Sequence, residues 1–111
     1  MKTIMHICRN EEWNEALELG EYKNPSLETE GFIHFSDPEQ VLSTANRYYP
    51  GQTDLVVLIV DAGLLAAELR YDPVRETHFP HLYGSLNLSA VVAVKSLTPD
   101  EAGQFTVLPV L

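Results

Sequence analysis

Residues 55–60, Leu-Val-Val-Leu-Ile-Val, contain no polar side chain, and no other stretch restricts the fold of this chain as strongly. The run is far too short to cross a bilayer as a helix, which takes about 20 apolar residues. An apolar run of this length without alternation, rich in β-branched side chains, reads as a buried strand. Its cover has to come from the rest of the chain. With 111 residues, 45% of them hydrophobic and 21% charged, that is feasible within one domain spanning residues 1–111.

The flanking segments suggest what the cover is. Residues 3–8, TIMHIC, alternate as a strand, with Met5 and Ile7 on one face and Ile4, His6 and Cys8 on the other. A helix follows, for which Asn10 is the expected cap and Trp13, Ala16 and Leu17 the apolar stripe; Gly20 ends it. Residues 21–31 read as a loop broken at Asn24-Pro25 and Gly31. GFIHFS at 31–36 is a short strand that sends Ile33 and Phe35 one way and Phe32, His34 and Ser36 the other.

Asp37, Pro38 and Gln40 open a second helix through Val41, Ala45 and Tyr48, closed by YYPG. Residues 61–72 fit either a short helix or a strand, and 72–78 read as a polar loop. LYGSLNL alternates Leu82, Gly84, Leu86 and Leu88 against Tyr83, Ser85 and Asn87. AVVAVKSL is a strand, and FTVLPVL at 105–111 is a candidate edge strand in which Pro109 limits pairing. Two helices and five to seven strands give an α+β fold with a largely antiparallel sheet or pair of sheets.

Charge narrows the partners. Sixteen acids against seven bases give a formal net charge of -9. No basic run is present to neutralise a phosphate backbone, so DNA is excluded as a partner and RNA is disfavoured. A small phosphate-bearing metabolite remains compatible, because one or two arginines and backbone amides can hold it locally. The lone Cys8 and the absence of a secretory pattern in MKTIMHICRN point to the cytoplasm, and no segment suits a membrane.

Most recognisable chemistries are missing. The six glycines are scattered, so neither a Walker nor a Rossmann phosphate loop exists. His78-x-x-His81 and His6-x-Cys8 lack the second cysteine or Cys/His pair of a zinc site, and no metal is expected. Cys8 sits two residues from His6, a separation of roughly 6 to 7 Å along a strand, too far for direct activation. Its simpler role is that of a small buried hydrophobe.

What remains is a set of polar side chains on like faces of several strands: His6, His34, Ser36 and Tyr83. Singly, each is commonly a hydrogen-bonded filler or a helix cap. Together they suggest a small-molecule cleft between sheets, with GFIHFS as its near wall and the His81 and Tyr83 face of FPHLYG as its far wall. Asp72 or Glu76 supplies a carboxylate on the way into FPHLYG at 79–84, and Arg75 or Arg47 can meet an anionic ligand.

The order of His6, EWNEA at 12–16, Gly20-x-Tyr22, GFIHFS, Gln40-Val41, Ala45-Asn46-Arg47-Tyr48, Gly51-Gln52-x-Asp54-Leu55 and FPHLYGSL resembles the DUF952 family of small bacterial proteins. The resemblance runs over nearly the whole chain, and the paired GFIH-x-S and FPHLYG motifs carry it. It implies an ADP-ribosyltransferase-like fold, in which split antiparallel sheets hold NAD or an ADP-ribose-type ligand in a cleft.

By that resemblance, His6 is the first-strand element of the site and His34 with Ser36 the second. Family members commonly carry an aromatic-Glu pair where this chain has Tyr71-Asp72, so its carboxylate is one methylene shorter. Asp72 then either stabilises positive charge at an anomeric carbon or takes a structural role. The implied assignment makes His34, Asp72 and His81 catalytic and His6, Ser36, Arg47 and Tyr83 ligand-binding. The activities open to such a site are ribosyl transfer, hydrolysis of a nucleotide-ribose compound and phosphoryl transfer, the acidic charge arguing against an RNA 2'-phosphate as substrate. The alternatives are a non-enzymatic ligand-binding module and an accessory protein acting through contacts.

Overall fold

The computed structural model describes residues 1–108. The chain has an α+β fold with three small antiparallel sheets and two main helices. The apolar run becomes strand β4, Leu55–Asp61, paired between β1, Thr3–Arg9, and β8, Val91–Leu97. Its side chains alternate between two cores. Val56, Leu58 and Val60 join Ile4 and Cys8 on one side, while Leu55, Val57 and Ile59 join Met5 and Ile7 on the other. A strand covered on both faces has no position for a polar side chain, which accounts for the unbroken run.

Helix α1, Asn10–Leu19, covers the first core through Ala16 and Trp13. Asn10 is its first residue rather than its cap. Arg9 holds the cap position in extended conformation, and Glu12 reaches back so that its Oε1 accepts from the Arg9 amide at 2.8 Å. Leu17 is 55% exposed, so the expected stripe is narrower than its spacing suggests. Gly20 ends the helix at φ 88°, in the left-handed region that glycine enters freely.

The segment read as a loop at 21–31 contains strand β2, Glu21–Tyr22, and a one-turn helix α2, Ser26–Thr29. Asn24 opens that turn by accepting from the Ser26 amide through its Oδ1 at 3.0 Å. Strand β3 is only Ile33–His34. Beyond it the chain crosses between sheets: the Phe35 amide donates to the Pro80 carbonyl, and Ser36 exchanges both backbone bonds with Met5.

Pro38–Gln40 form a 3-10 turn leading into helix α3, Val41–Tyr48, and Gln40 Oε1 accepts from the Asp37 amide at 2.8 Å as the sequence suggests. Val41 and Ala45 are fully buried against the second core, whereas Tyr48 is 57% exposed. Asn46 clasps the C-terminal segment, donating to the Phe105 carbonyl and accepting from its amide.

Residues 61–72 resolve both ways, as a 3-10 turn at Ala62–Leu64 and then strand β5, Glu68–Val74. The expected polar loop at 72–78 is instead a tight hairpin between β5 and β6, Thr77–Tyr83, with Val74 opposite Thr77. Its polarity reflects an outer strand facing water, and Pro73 is tolerated because β5 lies at the sheet edge. Strand β7, Leu86–Asn87, pairs with β2. Residues 105–108 are not a strand, and the remainder of that expected edge strand lies outside the described residues. Among the described residues no helix is long and apolar enough to cross a membrane.

Candidate functional site

The β1-β4-β8 sheet and the β3-β6-β5 sheet share the first core, and the isolated Met5–Ser36 backbone bridge joins the chain segment after β3 to β1. Below that seam, between α3 and the β5–β6 hairpin, lies a cavity of about 560 Å³. Its size falls in the range of small-molecule sites. His6, His34, Ser36, Arg47 and His81 all line it; Asp72 and Tyr83 do not.

His6 is 6% exposed and engaged at both ring nitrogens. Its Nδ1 lies 2.5 Å from the His34 carbonyl and must donate to it. Nε2 is thereby an acceptor for the Tyr22 hydroxyl at 2.9 Å, and that hydroxyl in turn accepts from Asn24 Nδ2 at 3.0 Å. The ring ties β1 to β2 and β3 and has no nitrogen left for a ligand. Burial holds its pKa down at about 4, against the pull of the His34 carbonyl, so His6 is neutral at pH 7.

His34 is exposed, with Nε2 2.8 Å from Glu30 Oε2. Ser36 Oγ lies 3.3 Å from Thr44 Oγ1 on α3. These two side chains form the near wall.

The far wall is β6. His81 is 3% exposed, sandwiched by Phe32, whose ring stacks on it at 4.0 Å and 14°. Its Nδ1 donates to Asp72 Oδ2 at 2.8 Å, and the Tyr83 hydroxyl donates to the same oxygen. Two donors, Tyr83 first and His81 second, hold the Asp72 carboxyl below its ordinary value, while Asp72 pushes the Tyr83 hydroxyl up. With its proton on Nδ1, the neutral ring presents a lone pair at Nε2. That buried atom has no partner among the described residues.

Residues 7–94 match the family model described as a protein of unknown function, DUF952. The chain belongs to the DUF952 family. The crystal structure of protein CC0527 from Caulobacter crescentus is similar to it at 34% identity and a TM-score of 0.86, over 94% of this chain and 93% of that one. The solution NMR structure of CC0527 is similar at 34% identity and a TM-score of 0.83, over 96% and 93%. No curated protein matches.

In this DUF952 chain the geometry redistributes the expected roles. Asp72 stands behind His81 and outside the cavity lining; Tyr83 stands behind Asp72, beneath the Arg70 guanidinium at 4.5 Å. Cys8 is buried, and burial pushes its thiol up to about 12. Among the described residues no three His, Cys, Asp or Glu side chains gather to hold a metal.

Ser43, Thr44, Tyr48 and Glu30 also line the cavity, and sequence reasoning passed over them. The signal for the α3 group was available: polar residues opposite Val41 and Ala45 on an amphipathic helix face away from the core. Which cavity they face depends on the hairpin, which the sequence presented as a loop.

Proposed function

We propose that this DUF952 protein is an enzyme acting on a nucleotide or ADP-ribose-type ligand held at the seam between the sheets. The observation that carries the reading is the buried His81, oriented by Asp72, with an unclaimed Nε2 beside a cavity of ligand size. Buried polar atoms are rarely left without a partner, so an orphaned imidazole nitrogen supports a donor supplied by a ligand. Two separate antiparallel sheets with the cavity at their seam support the ADP-ribosyltransferase-like resemblance.

The chemistry assigned to the site is general-base catalysis of ribosyl transfer or hydrolysis. Nε2 removes the proton from a ligand hydroxyl or water as that oxygen bonds to the electrophilic carbon or phosphorus. The leaving group departs with its bonding pair and takes the proton back from the imidazolium. Asp72 stabilises the charged ring without touching the ligand, and Tyr83 fixes Asp72. His34 and Ser36 offer hydrogen bonds from the near wall, while His6 holds that wall in place.

The second reading is a binding module that keeps the cavity without turnover. The close cover over Nε2, which has almost no contact with solvent, favours it. Nicotinamide release from NAD and breakdown of ADP-ribose, followed chromatographically, separate the two. The enzyme reading expects turnover that falls about 10²-fold or more in His81→Gln and Asp72→Asn. Saturable binding with no turnover in the parent establishes the module instead.

A further inference from the structure

Seven Lys and Arg side chains serve a chain with 16 acids, so each unpaired base stands out. Arg9 pairs with Glu11, Lys23 with Glu21, and Arg70 with Glu68, while Lys2 lies over the Tyr71 ring and Lys95 sits on β8, outside the cavity lining. Arg47 and Arg75 both line the cavity, and among the described residues neither has a carboxylate within 4.0 Å. The one acid in the described lining, Glu30, is already bonded to His34 at 2.8 Å. In a molecule of net charge -9, the described lining of this cavity holds two arginines against one carboxylate.

The two arginines reach it from opposite walls. Arg47 comes from the last turn of α3, and Arg75 from the tip of the β5–β6 hairpin. Arg75 adopts φ 56°, the one described non-glycine residue in the left-handed region. The first residue of a two-residue hairpin turn needs such a φ, so the turn geometry accounts for it. The turn places Arg75 Nη2 3.0 Å from the Tyr48 hydroxyl, across the cavity mouth. A guanidinium has five donors, so this bond leaves others free for a ligand. Ser43 and Thr44 bring hydroxyls to the same side.

We propose that Arg47 and Arg75, with the Ser43 and Thr44 hydroxyls, form a phosphate subsite at the mouth of the cavity. This deepens the reading given above and rests on it: the ligand carries a phosphate or diphosphate at the arginines and offers a hydroxyl to His81. Planar guanidinium groups suit phosphate oxygens, and a pair drawn from two separate elements can hold them from both sides. Phosphate takes the place of Tyr48 as an acceptor for Arg75, so the hairpin tip and α3 are joined through the ligand.

The test uses amide NMR titrations of the whole chain with pyrophosphate, AMP and adenosine. Saturable shifts with pyrophosphate and AMP at residues 43–48 and 74–76 are expected, with adenosine binding at least tenfold more weakly than AMP. Arg47→Gln and Arg75→Asn should each weaken AMP about tenfold or more, as expected for losing one charge-assisted bond. Both positions are exposed, so the melting temperature and the adenosine affinity should hold. Equal affinity for AMP and adenosine, or AMP affinity unchanged in both variants, overturns the subsite. Phosphate-dependent binding in a protein that turns over neither NAD nor ADP-ribose sustains the subsite and removes only the catalytic reading.

Discussion

Acid should unfold this protein through His6 before its carboxylates are protonated. The folded ring, engaged at both nitrogens and buried, has a pKa near 4 against an ordinary 6.5. Between those values the unfolded chain holds a proton at residue 6 that the folded chain does not. Stability from this site is therefore complete above pH 6.5 and is lost as pH falls toward 4. A gap of about 2.5 pH units at about 1.4 kcal/mol each sets a ceiling near 3 kcal/mol. About 2 kcal/mol of it should disappear between pH 7 and pH 5. The structural origin is burial, together with Nε2 accepting from the Tyr22 hydroxyl: a second ring proton would point at that hydroxyl's own hydrogen and break the bond. Urea midpoints at pH 7, 6 and 5 for the parent and His6→Gln measure the effect. The parent should lose about 2 kcal/mol more than the variant; parallel losses would refute the assignment. An NMR titration of the His6 ring checks it independently and should show no protonation above pH 5.

Leu58→Ala, at the fully buried centre of β4 and opposite His6, should cost about 2–5 kcal/mol in denaturant unfolding. Gly84→Ala would bring a Cβ to 2.7 Å from the Ala67 Cβ; it should lower the melting temperature, and Ala67→Gly should recover part of the loss. Asn46→Ala removes both bonds to the Phe105 backbone and should cost about 1–3 kcal/mol, with faster hydrogen exchange at the Phe105 amide as the local readout.

The candidate site was partly legible because strand faces obey a period of two. Alternation placed His6 with Ile4 and Cys8, and His34 with Ser36, on stated faces before any pairing was known. It could not separate a ring with both nitrogens engaged from one with a nitrogen free. His6 and His81 are both buried histidines on strands, and only their neighbours distinguish them: a carbonyl and a tyrosine for one, a carboxylate and an open cavity for the other. The hairpin at 72–78 was missed for a related reason. Charged residues on an outer strand look like loop residues, because both face water.

By itself the sequence determined the central strand, the two helices, the antiparallel α+β class and the acidic charge, since each follows from composition or local periodicity. Tertiary structure decided how the polar residues are shared out. Asp72 orients His81 because β5 pairs with β6 in one register, and Arg75 reaches Tyr48 because the hairpin brings its two-residue turn to the end of α3. These two contacts join residues 9 and 27 positions apart, and local chain preference, which acts over only a few residues, carries no record of them.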